Sequence, residues 1–226
     1  MVTLPTTALP QLYTRLMEQI KIRLAAVSSE LRLASADRDT FEGIVRAESA
    51  CVQLRKTTEL LALAVVVAHN EHELFRSKKF VSEWNADAIF AALNKLNKES
   101  FPVRFTIDGV TNDGYANAII EDEGFLTREG LCKIYHDCGQ LLHIGKLRAV
   151  ITTTKIIDLG EIQRWRKEIM QLLNNHIVFL PDREKIMYVS IAKAPDGAVE
   201  CLLQDVFEFE TVLAPPHRIR RYRTVP

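Results

Sequence analysis

The side chains with chemical reach in this sequence are its six histidines, its four cysteines and a few acids set among apolar residues. His69-Asn70-Glu71-His72-Glu73 puts two imidazoles three residues apart, on one face if the segment is helical. Such a pair is a start on a metal site. Both the His-Glu-x-x-His order and its inverse are absent, and two ligands do not complete a site. Histidine at a helix C-terminus is favoured by the helix dipole, so His69 and His72 read first as helix-end residues. Cys132, His136 and His143 are spaced by four and seven residues on a second helical face. His136 and His143 would then lie about 10 Å apart along the axis, too far to share one ion. Cys132 with His136 would need ligands from elsewhere, so packing with one polar edge is the expectation. Glu59 stands directly before the apolar run Leu60–Ala68, and Glu48, Arg55 and Glu59 make a polar stripe on that helix. A charge drawn into a core needs a partner. The stripe therefore predicts an internal ion pair that fixes helix register. The alternative is a polar pocket shared with His143. On these grounds Glu59, His69 and His143 are the candidate catalytic residues, and His69 with His72 the candidate metal ligands.

Several chemistries lack their signatures. Gly-x-Gly-x-x-Gly, a Walker A loop and a Gly-x-Ser-x-Gly elbow are absent, and the 9 glycines do not cluster. A phosphate cradle built from backbone amides is not expected. Asp108-Gly109-Val110-Thr111-Asn112-Asp113-Gly114 is turn-rich but misses EF-hand spacing. No cofactor is expected. Cys51, Cys132, Cys138 and Cys201 form no Cys-x-x-Cys pair and read as small apolar residues of a reducing compartment. Met1–Pro10 has neither a basic nor an apolar signal region. The longest apolar run, nine residues at Leu60–Ala68, falls short of the roughly 20 that cross a bilayer. A cytoplasmic protein away from membranes is the expectation.

Charge is segregated. The whole chain balances 29 basic against 29 acidic residues. The segment after Pro215-Pro216 carries Arg218, Arg220, Arg221 and Arg223 and no acid, which leaves residues 1–214 at a net charge of −4. These arginines are the candidate contacts for a phosphate backbone or an acidic partner, with weak, salt-sensitive binding. The alternatives are a solvated terminus or a segment folded back on the protein's own acidic surface.

The elements that must position these residues follow from periodicity. At 47% hydrophobic and 26% charged, the chain is globular rather than disordered. A helix over Gln11–Leu33 has Leu12, Leu16, Ile20, Leu24, Val27 and Leu31 as its stripe. A second runs over Thr40–Asn70, opened by Asp39 with Glu42 at capping-box spacing, amphipathic in its first half and apolar all round in its second. Ser82 caps a third through Leu96, with Trp84, Ile89, Leu93 and Leu96 inward. Thr127 caps a fourth with Leu131, Ile134/Tyr135, Cys138 and Leu141/Leu142 inward. Asp158 with Glu161 opens a fifth whose stripe is Ile162, Trp165, Ile169, Leu172 and Leu173. Ser100–Phe125 has no period and reads as a long loop with a short strand at Val103–Ile107 or a turn of helix near Tyr115–Ile120. Ile177–Leu180, Lys185–Ala192 and Ala198–Glu210 read as strands, with a hairpin at Pro195-Asp196-Gly197. The predicted fold is α+β: a bundle of about five helices followed by a small C-terminal antiparallel three-stranded meander. Residues 1–176 form the bundle, with the long loop at 100–126. Residues 177–214 form the meander packed on it, and 215–226 a basic tail.

Leu131–Leu147 (LCKIYHDCGQLLHIGKL) closes a helix with a Tyr…Leu-Leu-His pattern. Together with the Arg55–His69 helix (RKTTELLALAVVVAH) it resembles bacterial proteins with HEPN-like helical bundles. The resemblance covers the helical two-thirds of the chain and implies the fold. Active members of that superfamily are often RNases with an Arg four to six residues before a His. None of the six histidines here has that arginine. Three functional expectations follow. The first is a non-catalytic protein-interaction or regulatory module, homo-oligomeric or bound to a protein partner. The second is a divergent HEPN-like RNA-binding protein or RNase of a defence or toxin system. Glu59, His69 and His143 would line its cleft and the tail arginines would hold the backbone. The third is a metal-dependent hydrolase using His69, His72 and acids of Glu121–Glu123.

Overall fold

A computed structural model describes residues 8–38, 40–69, 85–96, 99–110, 116–121, 125–143, 157–181, 185–193, 197–205, 208–214 and 217–224. Its helices are α1 (Leu9–Ala36), α2 (Phe41–Ala68), α3 (Ala86–Leu96), α4 (Arg128–Leu142) and α5 (Leu159–Leu173). Its strands are β1 (Val103–Val110), β2 (Ala116–Glu121), β3 (Asn175–Phe179), β4 (Lys185–Lys193), β5 (Ala198–Asp205), β6 (Glu208–Ala214) and β7 (His217–Thr224). The fold is α+β, as the periodicity predicts.

Helix α1 starts with Pro10 in its first turn, where a missing N–H costs nothing. Its buried stripe is Leu9, Tyr13, Met17, Ile20, Leu24, Val27, Leu31 and Ala34. From Ile20 onward this is the predicted stripe. Before it the core takes Tyr13 and Met17 and leaves Leu12 and Leu16 on the flank. The connection to α2 is tight: Thr40 donates from its backbone N–H and its hydroxyl to the Asp37 carbonyl, at 2.9 and 2.8 Å. A Cβ on Gly43 would sit 2.1 Å from that same carbonyl oxygen, so only glycine lets the two helices turn so sharply. Thr40 accepts from Gly43 N–H and caps α2. Asp39, the expected start of a capping box, lies outside the described residues. Thr127 caps α4 and Asp158 caps α5, accepting from Gly160 and Glu161 N–H. For α3 the cap is Asn85, whose Oδ1 accepts from Asp87 N–H at 2.9 Å. Ser82 and Trp84 are outside the described residues. The buried stripe of α5 matches expectation residue for residue, and that of α4 does so as far as Cys138; Leu141 and Leu142, expected inward, are half-buried.

The sheet is antiparallel in every pairing, in the order β5-β4-β3-β1-β2-β7-β6. The expected meander is β3-β4-β5, with Gly197 at φ +70 closing the predicted hairpin. Three strands become seven for two reasons. Where the sequence predicts a long loop at 100–126, β1 and β2 pair with a bulge between Ile107 and Val110. β1 also joins the meander through Val103 opposite Ile177. Ala198–Glu210, read as one strand, divides into β5 and the start of β6, and residues 217–224 of the predicted basic tail form β7 between β2 and β6.

One face of the meander packs on the helices. Val178, Leu180, Met187, Val189 and Ile191 join the buried stripes of all five helices in one core. The other face holds a second cluster of Phe105, Ile177, Phe179 and Ile186. β3 is therefore buried on both faces, which is why it reads as an unbroken apolar run. α1 is tied to the sheet by polar bonds as well. Glu18 Oε1 accepts from Val199 N–H at 3.0 Å and the Lys21 ammonium donates to the Gly197 carbonyl. Arg166 of α5 donates to the Leu24 carbonyl at 2.8 Å.

A long-range side-chain hydrogen bond crosses the core between α1 and β3. Tyr13 Oη and His176 Nε2 are 2.9 Å apart, both residues fully buried, and His176 Nδ1 lies 2.9 Å from the Leu173 carbonyl. The carbonyl can only accept, so Nδ1 carries the proton and Nε2 accepts from the Tyr13 hydroxyl. Burial opposes charging the ring and lowers the His176 pKa to about 4, against a weaker upward pull from the Leu173 carbonyl. The unfolded chain takes up a proton near pH 6.5 that the folded chain refuses until about pH 4. Stability should therefore fall by up to about 3 kcal/mol as pH drops through this window and level off below it. Urea denaturation from pH 7 to pH 4 measures this, and His176→Gln should remove that part of the slope.

Candidate functional site

Helix α4 lies against α2 with two buried cysteines at the contact. The Cys138 thiol bonds to the Cys51 thiol, and that contact with burial holds Cys138 far above the usual thiol range. One turn away, Arg55 of α2 stacks on the Tyr135 ring, 3.8 Å from its centroid, and donates to the Tyr135 carbonyl at 2.8 Å. Gly139 makes room for this, since a Cβ there would meet Arg55 Nη1 at 2.6 Å. Arg55 thus fixes the register of α2 on α4 through a ring and a carbonyl. Glu59 is part-buried, as expected, and its carboxylate pairs with Lys56, 2.9 Å away on the same helix and half-exposed. A pair with one solvated partner on the same helix contributes little to the register of α2 on α4. Glu48, the third residue of the stripe, is half-buried on α2.

On its other side α4 meets α3. Asp87 Oδ2 lies 2.6 Å from the exposed His136 Nε2, and the Cys132 thiol lies against the same carboxylate. An open groove of about 550 Å³ runs beside them, lined by Asp87, Phe90, Asn94, Cys132, Lys133 and His136 among others. Cysteine, histidine and aspartate here have the residue types of a nucleophilic triad but not its electrostatics. Burial first, and then the Asp87 carboxylate, push the Cys132 thiol up to about 12. A nucleophile needs the reverse. Asp87 carries no signal in the sequence, because an acid in a first helical turn is ordinary.

The remaining expected residues are dispersed. His69 caps the C-terminus of α2, buried, with Nδ1 donating to the Val65 carbonyl at 2.8 Å. This is the expected helix-end role. It stands ten residues, about 15 Å, beyond Glu59 on the same helix. His143 caps the C-terminus of α4, exposed, five residues past the Cys138 that packs on Cys51. Cys51 itself is 18 residues, about 27 Å, from His69. Glu59, His69 and His143 therefore line no common cleft. His72 is outside the described residues, among which no three His, Cys, Asp or Glu side chains gather as a metal site would require. No helix among them is long and apolar enough to cross a membrane. The four arginines lie on β7, where Arg221 is opposite Glu210 and Arg223 opposite Glu208 of β6.

Sequence reasoning missed the outer face of α2. Phe41 is 83% exposed, Val45 62%, Val52 38% and Leu63 40%. At 100° per residue these four fall within about 40° of one another, a single line along the helix. The first half reads as amphipathic, with one apolar side, and a second apolar line on the opposite side is not separated from it by periodicity alone.

No family model matches the chain, no curated protein matches it, and no solved structure matches it.

Two outcomes follow from this geometry. Cys132 and Cys201, whose thiols burial pushes to about 12, should react with iodoacetamide at pH 8 about a thousand-fold more slowly than an unhindered thiol. Labelling rates read by mass spectrometry, native and in urea, measure this. A chain ending at Ala214 loses the strand between β2 and β6, so its thermal midpoint should fall by at least about 5 °C. A free basic arm would leave the midpoint unchanged, and calorimetry separates the two.

Proposed function

We propose that this chain is a non-catalytic protein-interaction module whose working surface is the outer face of α2. The observation that carries this reading is the aligned exposure of Phe41, Val45, Val52 and Leu63. Single exposed apolar residues are ordinary on a monomer, but four aligned on one face of a rigid helix, with charged Glu48, Lys56 and Glu59 between them, have the mixed character of a contact surface. The titratable groups support the same reading from the other side. Arg55 holds helices together, His69 caps one, His176 is locked neutral, and the thiols are held in their unreactive form. Reactive sites are built the opposite way, with groups poised to gain or lose a proton near neutral pH. The β6 glutamates opposite Arg221 and Arg223 favour a structural use of β7 over a nucleic-acid arm.

The test is photo-crosslinking in the full chain. A photoreactive residue replaces Leu63 or Val45 in turn, with Arg32 on the exposed face of α1 as the control position. A protein adduct at Leu63 and Val45, absent at Arg32 and abolished by Val52→Asp, is the expected result. Equal yield at all three positions, or none at any, overturns the reading.

A further inference from the structure

The residues along the open groove between α3 and α4 have an order of their own. On α3 they are Asp87, Phe90, Ala91 and Asn94, which share one face of the helix. Asp87 and Asn94 stand about 10 Å apart along that face, with the two apolar residues between them. On α4 the apolar Cys132 sits one turn from Arg128 and one turn from His136. The groove is thus apolar along its middle and polar at its rim. Among the described rim residues each cation is already matched by an acid of the same chain. Asp87 lies 2.6 Å from His136 Nε2, Arg128 bonds Glu129, and Lys133 bonds Asp137. The floor is preformed as well: Phe90 meets the ring of Phe101 edge to face at 5.8 Å, and the Cys132 thiol bonds to Asp87.

We propose that this groove is a binding site for a small neutral molecule with an aromatic or alicyclic body and one hydrogen-bonding group. Its volume of about 550 Å³ falls within the span of small-molecule sites, roughly 300–1,000 Å³. A charged ligand would give up hydration over Phe90 and Ala91, and would find a counter-charge only by breaking a pair the chain already makes. A neutral ring gains from the apolar middle and disturbs none of those pairs. The Asn94 carboxamide lines the groove and offers both a donor and an acceptor, so a hydroxyl, a carbonyl or an amide is served there and sets the orientation. No residue of the α2 outer face takes part, so the site stands independently of the interaction reading.

Three probes of one shape test this by nuclear magnetic resonance on the isotope-labelled full chain: naphthol, naphthoate and naphthylmethylammonium, which are neutral, anionic and cationic at neutral pH. Naphthol should bind with a Kd of about 0.1–1 mM, in keeping with its size, and should shift the amides around Ala91 and Cys132. Each charged probe should bind at least about five-fold more weakly. Ala91 is exposed on α3, so Ala91→Trp fills the groove without entering the core, and it should weaken naphthol at least about ten-fold with an unchanged far-UV circular dichroism spectrum. Asn94→Leu should weaken it about three- to ten-fold. Val52→Asp should leave naphthol binding unchanged. The proposal is overturned if no probe shifts these amides at millimolar concentration, if a charged probe binds as tightly as naphthol, or if naphthol binding survives Ala91→Trp.

Discussion

The hydrogen bond between Tyr13 and His176 joins the first helix to the first strand of the meander across 163 residues of sequence. Both groups are fully buried, so neither can replace the other with water. A buried donor or acceptor left alone costs about 1–3 kcal/mol, and this fold contains a geometry in which both are served. A helix sliding on a sheet by one turn would bury similar apolar area, because apolar contact has no direction. It would not re-form this bond. The other polar ties of α1 act in the same sense: Glu18 to Val199, Lys21 to Gly197 and Arg166 to Leu24 each name one register. The hydrophobic stripe draws α1 onto the sheet, and these bonds select where it stops.

The same division of labour explains why the side chains that look reactive are not arranged to react. Arg55 satisfies its guanidinium with the face of Tyr135 and a backbone carbonyl, both supplied by α4. That arrangement neutralises no charge, but it is planar and directional, as a guanidinium permits and an ammonium does not. Cys51 and Cys138 fill the space beside it, where a larger residue would force the helices apart. His176 is held as one tautomer by two fixed partners, the reverse of a proton shuttle. Chemistry needs groups that are desolvated and under-served. Tyr13, His176 and Arg55 are desolvated and served.

The sequence shows the helices well because their signals are local. Thr127 and Asp158 announce their helices within three residues, and the α5 stripe repeats without error from Ile162 to Leu173. Where α1 was misread, the apolar residues were too many rather than too few. Leu12 and Leu16 compete with Tyr13 and Met17, and only the position of the sheet decides between them. The sheet was half legible for a different reason. β3, β4 and β5 are joined by short connections and have partners nearby in sequence. β2 pairs with β7 about a hundred residues away, and no local pattern records that. Arginines at four of the eight β7 positions also mask the alternation a strand shows. For the candidate site, an acid before an apolar run signals a part-buried carboxylate, and Glu59 is one; that Lys56 on the same helix pairs with it depends on rotamers the sequence does not record.

α2 shows why composition misleads about exposure. Its inner side needs Ala50, Leu54, Thr57, Leu61 and Ala64 against the rest of the bundle. Its outer side carries Phe41, Val45, Val52 and Leu63. With apolar residues on opposite sides, the amphipathic signal weakens, and the sequence does not tell the exposed line from the buried one. The charges between them are matched on the helix itself, where Lys56 pairs with Glu59 at 2.9 Å. Small residues on the inner side bring α2 close to its neighbours in the bundle. Branched and aromatic residues stand on its outer side instead.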